Sequence, residues 1–332
     1  MNNHYVKVNK RHALAIILLV VLIILAVLAF IFIEKLEFKL SDTGEEDVFV
    51  LGSRNPELEY NGKLYRYNED VESLLVMGID SFEKDVTHNS YNNTEQADFL
   101  IVLAVNDKEG TCKALQIDRD SMASNRILGV TGDIIDYRDE QIALSHTYGS
   151  GGHDSARNTV DAVSNLMYGM EIEHYMAFTM DAVAEYNDLV GGITINSGEV
   201  GPDGKTLSKD ITLNGGEALN YVRARRGLDD PTNIARMDRQ KNYLKHLREA
   251  TKKKSQTDDT FVLDAIMTVN EYMTSDLTVN ELSDVSDSVM RYADGTILSP
   301  KGESVDGELY KEFYVDSDDL LRLVIEMFYE EA

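Results

Sequence analysis

The sequence predicts an α/β protein: a central mixed β-sheet flanked by helices, preceded by one N-terminal transmembrane helix. Three observations predict it. Short apolar runs at 73–79, 99–105 and 113–117, each bounded by polar turn residues, have the length of buried strands. Segments 158–168, 180–189, 213–221 and 236–250 read as helices, and their alternation with strands marks the α/β class. Residues 13–33 carry no charge.

That uncharged run comes first in the chain. At about 1.5 Å per residue a helix of its length spans roughly 30 Å, the hydrocarbon thickness of a bilayer. Lys7, Lys10 and Arg11 precede it, and a mostly acidic stretch follows Glu34 and Lys35. The positive-inside rule then places residues 1–12 in the cytoplasm and the remainder outside the cell. A cleaved signal peptide would need a shorter apolar core and a small-residue cleavage site, and Ile33-Glu-Lys-Leu36 offers none. Residues 34–70 read as a juxtamembrane spacer with one short strand pair, and residues 71–332 as the globular extracytoplasmic domain.

Within that domain, 73–79 is a strand ending at Asp80, and residues 81–97 are a polar loop. The strand 99–105 follows Asp98, residues 106–110 are a turn, and 113–117 is a third strand ending at Asp118-Arg-Asp120. A Gly-led strand at 191–195 precedes the helix that begins near Leu213, with Asn214 as its N-cap. Residues 252–259 read as a charged loop, and the rest as further helices and one short strand pair.

Composition narrows the function. Hydrophobic residues make up 43% of the chain, enough for a core. A net charge of −26 argues against nucleic acid as partner, because an acidic surface repels phosphate backbones. The single cysteine, Cys112, rules out an intrachain disulfide. There is no P-loop or Gly-rich nucleotide fingerprint, no Gly-x-Ser-x-Gly elbow, and no metal-ligand spacing among the histidines.

Two clusters carry chemistry. Asp80 ends one predicted strand and Asp98 begins the next. If the strands are antiparallel neighbours, both carboxylates sit at one end of the sheet, a donor set suited to Mg2+. Acids at strand ends also serve simply to cap loops, and Asp118 and Asp120 flank Arg119 as salt-bridge partners would. The second cluster is Arg223, Arg225, Arg226, Arg236 and Arg239, five arginines where chance would place roughly 1.6 basic residues. Arginine's planar fork matches two phosphate oxygens at once. Arg223 and Arg225 share a face if their segment is extended. Arg236, Arg239 and Gln240 share one helix face.

In order along the chain stand Met77-Gly-Ile-Asp80, Ala97-Asp98, Asp118-Arg-Asp-Ser121, Ala143-Leu-Ser-His-Thr-Tyr-Gly149, Val190-Gly-Gly192, Leu213-Asn-Gly-Gly-Glu-Ala-Leu-Asn-Tyr-Val-Arg-Ala-Arg225 and Arg236-Met-Asp-Arg-Gln240. Behind an anchor helix, this series resembles the LytR-CpsA-Psr family of Gram-positive cell-wall enzymes, from about residue 71 to 250 and more weakly beyond. The resemblance implies transfer of a phosphorylated glycopolymer, such as teichoic acid or capsule, from polyprenyl pyrophosphate to peptidoglycan at the outer face of the cell membrane. It implies Mg2+ (or Mn2+) on Asp80 and Asp98. It implies pyrophosphate contacts from Arg119, Arg223, Arg225 and Gln240, with Arg236 and Arg239 matching the same motif, and a lipid tail in an apolar tunnel between sheet and helices. Two positions depart from the family: Gln96 stands where an arginine is frequent, and Asp118 where a proline is frequent. For the proton of the attacking hydroxyl, Asp229 or Asp230 inside the arginine cluster is the candidate acceptor. Competing readings are a pyrophosphatase that uses water as acceptor, and a non-catalytic polymer-binding or regulatory module.

Overall fold

A computed structural model describes residues 55–80, 95–129, 132–225, 232–258, 260–308 and 310–332. All of these belong to one unit, residues 51–332. The apolar run 13–33 and Asp229 and Asp230 lie outside the described residues. Among the described residues no helix is long and apolar enough to cross a membrane.

The described chain opens with a hairpin, β1 (Leu58–Tyr60) and β2 (Lys63–Tyr67). Its turn is Asn61-Gly62, both at positive φ, the pair that matches the twist of a two-residue hairpin. Three long strands follow: β3 (Glu72–Ile79), β4 (Ala97–Asn106) and β5 (Thr111–Ile117). A separate hairpin, β6 (Met122–Leu128) and β7 (Ile134–Gln141), leads through a 3-10 helix, Ile142–Tyr148, into α1 (Gly152–Leu166). Then come β8 (His174–Thr179), α2 (Met180–Leu189), β9 (Ile193–Ile195), β10 (Ile211–Leu213), α3 (Gly215–Arg223) and α4 (Asn233–Ser255). The chain continues with α5 (Phe261–Asn270), β11 (Met273–Ser275), α6 (Val279–Tyr292) and β12 (Ala293–Leu298). It ends with the pair β13 (Gly302–Asp306) and β14 (Lys311–Val315), then α7 (Ser317–Phe328) and β15 (Tyr329–Glu331).

The central sheet has six strands in the order β11-β8-β3-β4-β5-β12. The three long strands pair antiparallel, whereas β8 joins β3 and β12 joins β5 in parallel, so the sheet is mixed as expected. The hairpin predicted within the spacer is part of the folded unit. β2 pairs with β15, Tyr67 meets Tyr329 edge to face at 5.8 Å, and Leu58 and Tyr67 belong to the main core.

The two faces of the sheet are packed differently. Side chains alternate across a strand. Leu75, Met77 and Ile79 of β3, Leu100 and Val102 of β4, and Leu115 and Ile117 of β5 are fully buried against α1 and α7, through residues such as Val163, Leu323, Val324 and Phe328. On the opposite face Val76, Phe99, Leu103, Met176 and Phe178 are equally apolar but only half-buried. The helices on that side stand off the strands and leave cavities.

Sequence pattern misplaced one element. The lysines expected in a loop at 252–259 occupy the last turn of α4, which runs to Ser255. Cations are favoured there because the final carbonyls of a helix carry partial negative charge.

The start of α3 has two local determinants. Asn214 and Glu217 form a reciprocal capping box. Gly215 is required by close approach: a Cβ there would lie 2.5 Å from the Ala184 carbonyl oxygen of α2, while its N–H donates to Asp188 Oδ1 at 2.7 Å. A Cβ on Gly216 would meet nothing nearer than 3.6 Å. Gly215→Ala is therefore expected to cost roughly 1–3 kcal/mol in denaturant unfolding by overpacking. Gly216→Ala should be neutral or slightly stabilising.

Candidate active site

Asp80 is the first residue after β3 and Asp98 the second residue of β4. Ile79 pairs with Ala97, and the Asp80 N–H donates to the Gln96 carbonyl at 2.9 Å. The antiparallel register thus brings both carboxylates to one end of the sheet. Their environments differ: the Asp98 side chain is 14% exposed and that of Asp80 is 40%.

Asp98 is held between two guanidinium groups. Arg119, in the turn after β5, donates from Nη1 to Asp98 Oδ1. Arg236, on the first turns of α4, donates from Nη1 to Asp98 Oδ2 at 3.2 Å and from Nη2 to the Asp98 carbonyl at 3.1 Å. Arg119 Nη2 also donates to Gln96 Oε1 at 2.6 Å, and its Nε lies 3.3 Å from Asp120 Oδ1. At the position where the resemblance leads one to expect a cation, Gln96 instead fixes one. Arg223, the last residue of α3, reaches Asp80 Oδ1 at 2.7 Å. Arg225 lies two residues further on, 3.7 Å from Asp120 Oδ2.

Burial and the neighbouring Arg236 pull the Arg119 pKa down to about 10. Burial and Arg225 do the same to Arg236, also to about 10. Both remain cations at neutral pH. Among the described residues Arg236 Nε is buried without a hydrogen-bond partner. Asp118, its pKa raised by burial, accepts from Asn233 Nδ2 and from the Asp120 N–H. Among the described residues four arginines (119, 223, 225 and 236) thus stand among four aspartates (80, 98, 118 and 120), a formally neutral group.

The site opens on an apolar cavity of about 300 Å3. Asp98, Arg223, Arg236 and Gln240 lie at its polar end, and Val76, Phe99, Phe178, Tyr186 and Leu247 form its body. A second apolar cavity of about 340 Å3 shares the walls Val76, Phe99, Phe178 and Leu247 and extends beneath α6. Both volumes lie in the range of small-molecule sites.

Not every predicted residue contacts the aspartates. Arg239 donates from Nε to the Tyr221 carbonyl at 3.3 Å and from Nη2 to the Ala224 carbonyl, so it caps the C-terminus of α3. Gln240 accepts from Gln116 at 2.8 Å and donates to the Val222 carbonyl at 3.2 Å, tying α3 to β5. Arg223 and Arg225 do not share an extended strand, because α3 ends between them at Ala224. The sequence reading missed two contributors, Gln96 and Asn233 as ligands of the charged groups; an apolar tunnel was implied by the resemblance alone, without its lining residues.

Two carboxylates suit a hard divalent cation that completes its shell with water and phosphate oxygens. Each Asp98 oxygen accepts one arginine and keeps a second lone pair. Among the described residues no group of three or more potential ligands gathers. The donor chemistry of these two carboxylates fits Mg2+ or Mn2+.

An α/β sheet with paired carboxylates and buried arginines at one end, above a hollow apolar face, defines the class. The chain belongs to the LytR_cpsA_psr family, whose model matches residues 38–319. Among its relatives is the polyisoprenyl-teichoic acid–peptidoglycan teichoic acid transferase TagU of Bacillus subtilis (strain 168), 31% identical over 194 residues, 58% of this chain and 54% of that one. The protein of that name from Halalkalibacterium halodurans is 32% identical over 202 residues, 60% of this chain and 59% of that one. The chain thus matches little more than half the length of these relatives. The crystal structure of B. subtilis TagU superposes with a TM-score of 0.51 at 25% identity, covering 78% of this chain and 95% of that one.

The two carboxylates are expected to differ in structural weight. Asp98→Ala removes the carboxylate that bonds two buried guanidinium groups, leaving Arg119 only Asp120 beside it, and should cost roughly 3–5 kcal/mol in chemical denaturation. Asp80→Ala breaks a half-exposed pair and should cost less than about 1 kcal/mol.

Proposed function

We propose that this chain transfers a phosphorylated glycopolymer from a polyprenyl pyrophosphate carrier to peptidoglycan. The carrying observation is the junction of an apolar cavity with a buried arginine–carboxylate cluster. That junction is complementary to one kind of ligand, a long hydrocarbon ending in a pyrophosphate. Burying five carbons of such a chain contributes roughly 3–4 kcal/mol. The names of the TagU relatives support polyprenyl-linked teichoic acid and peptidoglycan as substrates.

In this reading Arg119, Arg223, Arg225 and Arg236 bind and orient the pyrophosphate oxygens, exchanging part of their hold on the aspartates for the substrate. Asp80 and Asp98 would hold Mg2+ or Mn2+, which supplies charge neutralisation at the phosphoryl oxygens. The acceptor hydroxyl oxygen bonds to the phosphorus that carries the polymer. The bond from that phosphorus to the bridging oxygen breaks, and its electron pair leaves on polyprenyl phosphate. The hydroxyl proton passes to a nearby carboxylate or to water. Most of the rate gain is electrostatic and positional, as is general for phosphoryl transfer.

The anchor belongs to the same proposal. Residues 13–33 hold the chain in the cell membrane, with residues 1–12 in the cytoplasm and the catalytic unit outside, beside a substrate whose carrier lies in the bilayer. The uncharged run and the preceding Lys7, Lys10 and Arg11 support this.

The test uses the full-length protein in detergent micelles with a polyprenyl-pyrophosphate-linked saccharide, Mg2+ and peptidoglycan fragments, followed by mass spectrometry. Coupled product, with turnover lowered by about two orders of magnitude or more in Arg236→Ala, is expected. Release of polyprenyl phosphate without coupling would favour the pyrophosphatase. Binding without release would favour the regulatory module.

A further inference from the structure

A third cavity, of about 250 Å3, lies against the same strand ends but on the other face of the sheet. Ile79 and Ala177 line it, whereas their neighbours Gly78 and Phe178 wall the apolar cavity. Alternation along β3 and β8 therefore puts the two cavities on opposite sides of the sheet. Thr179, the last residue of β8, borders both.

The chemistry of this cavity differs from that of its neighbour. Glu95, His146, Asn270 and Glu271 contribute to its wall. His146 Nδ1 lies 3.1 Å from the Glu95 carbonyl oxygen, so that nitrogen carries the proton and donates. Burial holds the ring neutral, its pKa pulled down to about 4. Among the described residues Thr179 Oγ1 is buried without a hydrogen-bond partner, a costly state that a hydroxyl entering the cavity would relieve. The acids and His146 do not assemble into a metal-binding group among the described residues. Two carboxylates disfavour a phosphate and an alkyl chain alike, but they accept hydrogen bonds from hydroxyls. The cavity suits a neutral, hydroxyl-rich ligand: a sugar ring.

Resting on the reading above, we infer that this cavity receives the acceptor sugar of peptidoglycan, with Thr179 and Asn270 as positioning residues. In-line displacement requires the attacking and leaving oxygens on opposite sides of the phosphorus. A lipid phosphate leaving toward the apolar cavity needs its attacker on the far side of the strand ends, where this polar cavity lies. The first sugar of the donor has the same chemistry, and the test separates the two.

Thr179→Val removes the hydroxyl and keeps the shape, and Asn270→Ala removes an amide at the exposed end of α5. The experiment measures KM separately for the lipid-linked donor and for a soluble peptidoglycan fragment, using full-length protein. The expected result is an acceptor KM raised about tenfold in each variant. The donor KM should stay within about twofold of wild type in Asn270→Ala, which does not line the apolar cavity, and Thr179→Val should not lower the Tm, since an unpaired buried hydroxyl contributes no stability. An unchanged acceptor KM in both variants overturns the inference, as does a donor KM raised in Asn270→Ala, which would assign the cavity to the donor's own sugar. If wild-type protein releases no polyprenyl phosphate at all, the failure belongs to the transferase reading instead.

Discussion

The Asp98 carboxylate between Arg119 and Arg236 is the contact on which the site depends. It joins three elements distant in sequence: the start of β4, the turn after β5 and the first turns of α4. Buried guanidinium groups are tolerable only with hydrogen-bonded counter-charge. Asp98 bonds both, with Asp120 as a second counter-charge beside Arg119, and so fixes where α4 crosses the end of the sheet. Arg239 and Gln240 extend the same crossing by tying α4 to the end of α3 and to β5. The arrangement is a preorganised set of cations whose partners in the free protein are aspartates.

Its formal neutrality has a consequence for ligands. A dianionic pyrophosphate alone would leave a poorly solvated site negative, and a divalent cation alone would leave it positive. Either is opposed by the same low dielectric that strengthens the arginine–aspartate pairs. Adding both restores balance. The apolar cavity contributes an independent, charge-free increment through the hydrocarbon tail. The sheet lets these contributions coexist because it packs densely on the α1 and α7 face and stays hollow on the other.

Much of this was legible in the sequence. The runs ending at Asp80 and starting before Asp98 correspond to β3 and β4, and their antiparallel pairing brings the acids together as expected. The spacing of Arg236, Arg239 and Gln240 correctly put all three on the buried face of one helix. That spacing could not tell which arginine faces the acids and which caps a neighbouring helix, because the answer depends on where α3 ends. Nor could it show the cavities. Phe99, Ile101 and Leu103 are as apolar as Leu100 and Val102, and a strand apolar on both faces reads as doubly buried whether its covering helix packs tightly or stands away. The lysines after Thr251 were misread because charge runs signal loops only where no helix end is present to stabilise them.

The most direct measurement is calorimetric titration of the full-length protein with farnesyl pyrophosphate, with and without Mg2+, beside farnesyl alcohol. The account predicts that Mg2+ tightens pyrophosphate binding by about tenfold or more, that the alcohol binds far more weakly, and that Arg236→Ala abolishes the difference between them. Equal affinity for the alcohol and the pyrophosphate, or pyrophosphate binding indifferent to both Mg2+ and Arg236, would contradict it.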